Sequence, residues 1–228
     1  IDITMNELFP RFLWYGGPGT GKTHALITAP RPLIMLDFDD GWPTLAKFSK
    51  EIVGSKRFDL SPVASSDLWE SRYNQAGQAL QWVWEHRDLG FKTLVLDSAT
   101  SFALVCVQEV LYTNFKSLVP SARVFKKGSA GSDTGKAVLS LPMRGAAINL
   151  FEDFLARFHR LATLAKLVSV VTAHEKIYAD EATEVIDKIV PTSPGRQLSH
   201  FMGRLFNEVY HTTIIGGAFA WEVNSLHD

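Results

Sequence analysis

The stretch FLWYGGPGTGKTHAL, residues 12–26, decides the fold. Four glycines (Gly16, Gly17, Gly19 and Gly21) and Pro18 stand between an apolar run and the pair Lys22-Thr23. From Gly16 to Thr23 the segment fits G-x-x-x-x-G-K-[ST], a loop that cradles phosphate. Glycine lets such a loop turn its amides inward, because no Cβ blocks positive φ or close approach. A helix starting near Gly21 adds its positive end to the same anion. Gly17, Pro18, Gly19, Thr20, Gly21, Lys22, Thr23 and His24 are therefore the expected nucleotide-binding residues. Lys22 is expected at the β- and γ-phosphates and the Thr23 hydroxyl on Mg²⁺. His24 otherwise reads as an ordinary helix residue. The flanks agree with the motif. Phe12 to Tyr15 is a compact apolar run with the character of a buried strand, and KTHALITA reads as a short helix stopped by Pro30 and Pro32.

The strand–loop–helix reading extends along the chain as an alternation. PLIMLDFDDG, residues 32–41, is apolar on both faces and ends in acids. RFDLSPV (57–63) is a shorter strand candidate, and residues 66–90 have a helical pattern with Gly90 as its stop. FKTLVLDS (91–98) is a fourth strand, followed by a helix over 101–115. An amphipathic helix over 146–165 leads into a fifth strand at 166–176. FNEVYHTTIIGGAFAWEV, 206–223, reads as two strands joined at Gly216-Gly217. Alternating β and α units predict an α/β fold, a mostly parallel sheet with helices on both faces and a C-terminal β-hairpin. A single domain over 1–228 is expected, with a flexible loop at about 117–143 around the Gly/Ser-rich KKGSAGSDTGK.

Composition limits the function classes. The 228 residues are 46% hydrophobic and 21% charged, with a net charge of −1, so nucleic-acid binding would need a local basic patch. The one cysteine, Cys106, sits in an apolar run and reads as packing, which excludes a disulfide framework and suits a reducing cytoplasm. The most apolar stretch, LATLAKLVSVVTA, is interrupted by Lys166 and too short to span a bilayer, so no membrane partner is expected.

Active sites in such sheets lie at the carboxyl ends of the strands. Asp37, Asp39, Asp97, Ser98 and His174 fall there in this reading. Asp97, closing TLVLD, is the expected second holder of Mg²⁺ beside Thr23; the alternative is a helix cap by Asp97 or Ser98. Asp39, with Asp37 as the second candidate, is placed to orient and deprotonate water, whereas Asp40 reads as the start of a turn with Gly41. His174 is a candidate γ-phosphate sensor. Trp69, Trp82 and Trp84 lie at helical spacing and read as core. Lys126, Lys127 and Lys136 are the loop cations that could meet backbone phosphates.

From about Phe12 to Val223 the chain resembles the phage-encoded RecA-like P-loop ATPases, AAA-domain nucleotide-binding or single-strand annealing proteins. The matching pieces are GGPGTGKT, PLIMLDFDDG, FKTLVLDSAT, VVTAHEK and PTSPGRQLSHFMGRLFNEVYH. The resemblance implies a RecA-like core that binds ATP and Mg²⁺ between protomers of a ring or filament. It implies action on single-stranded DNA in recombination or annealing, in the host-cell cytoplasm, with a single-stranded-DNA-binding protein as a candidate partner. By position Asp39 matches the family's catalytic glutamate, and His174 its γ-phosphate sensor. The region 116–144, with Lys126, Lys127 and Lys136, falls at the first DNA loop, and 175–196 at the second. Lys176 and Arg196 are the trans-acting candidates. A P-loop small-molecule kinase and a nucleotide switch with slow hydrolysis are the competing functions.

Overall fold

The computed structural model describes residues 9–61, 71–117, 140–179, 186–192 and 202–223. The strands are β1 (Arg11–Gly16), β2 (Leu33–Asp37), β3 (Lys56–Asp59), β4 (Thr93–Asp97), β5 (Val168–Ala179), β6 (Ile186–Pro191), β7 (Glu208–Ile215) and β8 (Ala218–Val223). The α-helices are α1 (Lys22–Ala25), α2 (Trp42–Ala46), α3 (Arg72–Glu85), α4 (Ala99–Ser117) and α5 (Leu141–Leu164). The sheet runs β3-β2-β4-β5-β1-β7-β8. Every pairing from β3 across to β7 is parallel, and the β7–β8 hairpin closes one edge antiparallel. The expected mostly parallel sheet with a C-terminal hairpin is therefore the observed one.

Alternation along the strands explains why helices cover both faces. Leu13 and Tyr15, Ile34 and Leu36, Leu94 and Leu96, and Val171 and Ala173 point into one cluster with α3, α4 and α5. Their neighbours Trp14, Leu33, Met35, Val95 and Val170 point into a second cluster with Ala25, Leu26 and Leu45. Period-two side chains that are apolar at both parities have to be buried on both sides. The larger core centres on Phe102, whose ring lies 4.2 Å from Phe154 and 5.2 Å from Phe38.

Several local readings are corrected. The helix after the loop is one turn, α1, continued by a 3-10 turn over Leu26–Thr28. α5 begins at Leu141, so the end of the expected flexible loop at 143 lies inside a helix. Its start is set by Ser140, whose hydroxyl accepts from the Met143 amide, with Pro142 in the first turn. β5 runs on to Ala179 and pairs antiparallel with β6, a strand the sequence reading lacked. The described part of the supposed second DNA loop, 175–179 and 186–191, is therefore a β-ladder. Trp82 packs on Phe58 and Phe91 as core, but Trp84 is 42% exposed beneath Arg87.

Candidate active site

The parallel register sets residues of five neighbouring strands side by side near the carboxyl ends of β1, β2 and β4. Gly16 at the end of β1 stands between His174 of β5 and Thr212 of β7, while Asp37 of β2 stands beside Asp97 of β4. Because β5 lies between β1 and β4, the phosphate loop and Asp97 are separated in the sheet by one strand. They meet above it, through α1.

The loop is held by its own side chains. The Thr20 hydroxyl donates to Gly17 O at 2.8 Å and shares a 2.8 Å bond with the Thr212 hydroxyl. Lys22 Nζ donates to Gly16 O at 2.9 Å and Gly17 O at 2.7 Å. Burial lowers the Lys22 pKa, and the charges of Asp97, Glu175 and Asp39 oppose that fall. Gly21 caps α1 at φ 86°, and a Cβ there would stand 2.8 Å from the Phe219 ring. Both facts require glycine. The His24 ring lies on the same side, 5.0 Å from Phe48 and 5.7 Å from Phe219.

Thr23 and Asp97 come together: Thr23 Oγ1 donates to Asp97 Oδ2 at 3.0 Å. The Thr172 hydroxyl donates to the other carboxylate oxygen. Asp97 is 2% exposed, and burial pushes its pKa up to about 6 despite those two hydroxyls, with Asp39 adding in the same direction. A buried carboxylate is costly unless cations balance it, and a metal ion here would add to the charge of nearby Lys22. Oxygen donors from one carboxylate and one hydroxyl, beside a phosphate cradle, suit Mg²⁺, which keeps waters and phosphate oxygens as its other ligands. Among the described residues no group of three or more His, Cys, Asp or Glu could hold a metal by itself. Ser98, not Asp97, takes the capping role, accepting from the Ser101 amide at 3.3 Å.

Asp39 and His174 also meet, with His174 Nε2 3.3 Å from Asp39 Oδ2. Burial would raise the Asp39 pKa, but hydrogen bonds from His174, Ser101 and Ser98 outweigh it and hold the carboxyl below its usual range. Asp37, the second candidate for orienting water, is engaged in holding the fold. Its fully buried carboxylate accepts from the amides of Gly41 and Trp42 at 2.8 and 3.0 Å and from Arg57 Nε at 2.9 Å. It anchors α2 and β3. Asp40, at φ 56°, pairs with Arg57 as well.

Lys176 lies on β5 opposite Val190, its amine 5.1 Å from the Tyr178 ring centroid. Lys126, Lys127, Lys136 and Arg196 lie outside the described residues, as does Trp69. Four site neighbours were not foreseen. Thr172 bonds Asp97, Thr212 bonds the loop, Glu175 faces Gly17, and His211 bonds Glu175 at 2.8 Å. Glu175 and His211 sit within VVTAHEK and FNEVYH, stretches already singled out, but no spacing rule joins residues 36 positions apart.

The sequence profile of the AAA domain matches residues 9–118, just under half of the chain, from the approach to β1 through α4. This match and the sheet topology together support a P-loop NTPase core that binds and hydrolyses nucleotide. No curated protein matches the chain. Among the described residues no helix is long and apolar enough to cross a membrane.

Proposed function

We propose that this P-loop protein is a RecA-like ATPase that works as an oligomer on single-stranded DNA in phage recombination or annealing. The observation that carries the ATPase half is the convergence of Lys22, the Thr23–Asp97 pair and the Asp39–His174 pair at one end of the sheet. In this reading the loop amides and Lys22 bind the β- and γ-phosphates, with Lys22 leaving the carbonyls of Gly16 and Gly17. Thr23 and Asp97 would hold Mg²⁺, which would supply positive charge to the phosphates. Asp39 orients the attacking water and takes its proton at Oδ2, and His174 steadies that oxygen and senses the γ-phosphate. The DNA half rests on the resemblance carried by VVTAHEK and PTSPGRQLSHFMGRLFNEVYH, and Lys126, Lys127 and Lys136 are its proposed contacts. Lys176 and Arg196 are the proposed trans-acting groups toward a neighbouring protomer.

A slow nucleotide switch is the second reading, favoured by one observation. Asp39 is held below the usual carboxylate range, which makes it a weak base. Steady-state ATP hydrolysis with Mg²⁺, with and without single-stranded DNA, separates the two. Lys22-dependent turnover that rises with DNA is the expected result, with Lys22→Ala near background. Tight ATP binding with turnover indifferent to DNA would leave the switch.

A further inference from the structure

The C-terminal hairpin reaches the phosphate loop at three points, and one of them brings charge. Thr212 bonds Thr20, and Phe219 covers Gly21. The third runs through His211 on β7, whose Nε2 lies 2.8 Å from Glu175 Oε2 on β5 and whose Nδ1 lies 3.0 Å from Glu222 Oε2 on β8. An imidazole that meets a carboxylate at each nitrogen donates from both, which makes it an imidazolium. Burial opposes that charge, but the hydrogen bonds the ring donates to Glu222 and Glu175 outweigh burial and raise the His211 pKa. The ring is packed on Tyr15 of β1, at 5.0 Å between centroids.

The second oxygen of Glu175 faces the loop. Its Oε1 lies 3.2 Å from where a Cβ on Gly17 would stand, and its charge acts on Lys22. A carboxylate so placed repels a polyanion in the same loop unless a cation beside it cancels the field. Lys22 balances Glu175 while its amine rests on the carbonyls of Gly16 and Gly17. Once a triphosphate takes Lys22, His211 is the cation among the described residues that stays paired with Glu175.

We propose that His211 is a positioning residue of the nucleotide site, holding the Glu175 carboxylate at the first turn of the phosphate loop and offsetting its charge, the imidazolium's other partner Glu222 being the more exposed to solvent, so that the loop accepts a triphosphate. The inference rests on the loop binding nucleotide. It makes the outer hairpin part of the site, through a charge and not through packing alone.

The test is equilibrium binding of a non-hydrolysable ATP analogue and of inorganic triphosphate, with Mg²⁺, to the full chain. His211→Gln keeps a hydrogen bond to Glu175 but loses the charge, and it is expected to weaken both ligands by roughly tenfold. Adding Glu175→Gln to that variant removes the uncompensated charge and is expected to restore binding to within about twofold of wild type. A packing defect at His211 would not be rescued by a change at Glu175. Should His211→Gln fail to fold by circular dichroism, Glu175→Gln alone decides, with binding at least as tight as wild type expected and a tenfold loss overturning the proposal. Unchanged binding in His211→Gln, or a double variant as weak as the single, overturns it as well. A wild-type chain that binds neither ligand overturns the nucleotide reading and this inference with it; a wild type that binds beside an indifferent His211→Gln overturns this inference alone.

Discussion

At the scale of single residues, Asp97 shows how a site is held at the expense of the fold. Its carboxylate is buried, and its pKa stands at about 6 against an ordinary 3.8. Because the folded value is raised, the folded chain binds a proton more readily than the unfolded chain between these values. This contribution to stability is present below about pH 4 and is lost as pH rises through about 6. The protein without nucleotide or Mg²⁺ is therefore expected to melt at lower temperature at pH 7.5 than at pH 5 so far as Asp97 decides it. Asp97→Asn keeps an oxygen acceptor for one of the Thr23 and Thr172 hydroxyls, turns an amide donor to the other, and carries no charge. It should stabilise the ligand-free protein at pH 7.5 by about 1–3 kcal/mol while abolishing Mg²⁺-dependent turnover. Thermal unfolding at the two pH values, for wild type and variant, measures this. A variant that melts at or below the wild-type temperature at pH 7.5 would show that burial of the charge costs nothing here.

At the scale of elements, the short helix α2 has no strong reason of its own to form. It spans five residues and lacks a side-chain cap of its own, and its first amides are taken by Asp37 at the end of β2. The same carboxylate accepts from Arg57 of β3, so one buried acid ties two neighbouring elements to the sheet. Asp37→Asn removes the charge that Arg57 and both amides share. The cost should be about 2–4 kcal/mol, discounted from a fully buried pair because Arg57 is 22% exposed. The urea midpoint of unfolding reports it, and a loss below ~0.5 kcal/mol would leave Asp37 available as a functional acid. Elements also show where reading by periodicity fails. β6 is invisible to it because IDKIVP has no clean alternation and gains its order by pairing with the outward extension of β5.

At the scale of the whole molecule, the two faces of the sheet carry unequal cores, and the larger one supports the strand ends that bear the site. Phe102 of α4 lies among Phe38, Tyr73, Phe151 and Phe154, with no exposed surface. Phe102→Ala should cost about 3–5 kcal/mol, against under ~1 kcal/mol for Trp84→Ala on the exposed side of α3. Chemical denaturation of the two variants compares them directly, and equal losses would contradict the placement of the core. The glycine loop, the strand before it, the doubly apolar β2 and β4 and the carboxylate that ends β4 were all legible in the sequence. Each is written in adjacent residues, through backbone freedom, period-two apolarity and chain order. Tertiary structure alone decided which side chains share the site. It engaged Asp37 in holding α2, joined Thr23 to Asp97 across β5, and brought Thr212, 192 positions away, onto Thr20. Such partners depend on strand order and register across the sheet, and no local pattern in the chain encodes those contacts.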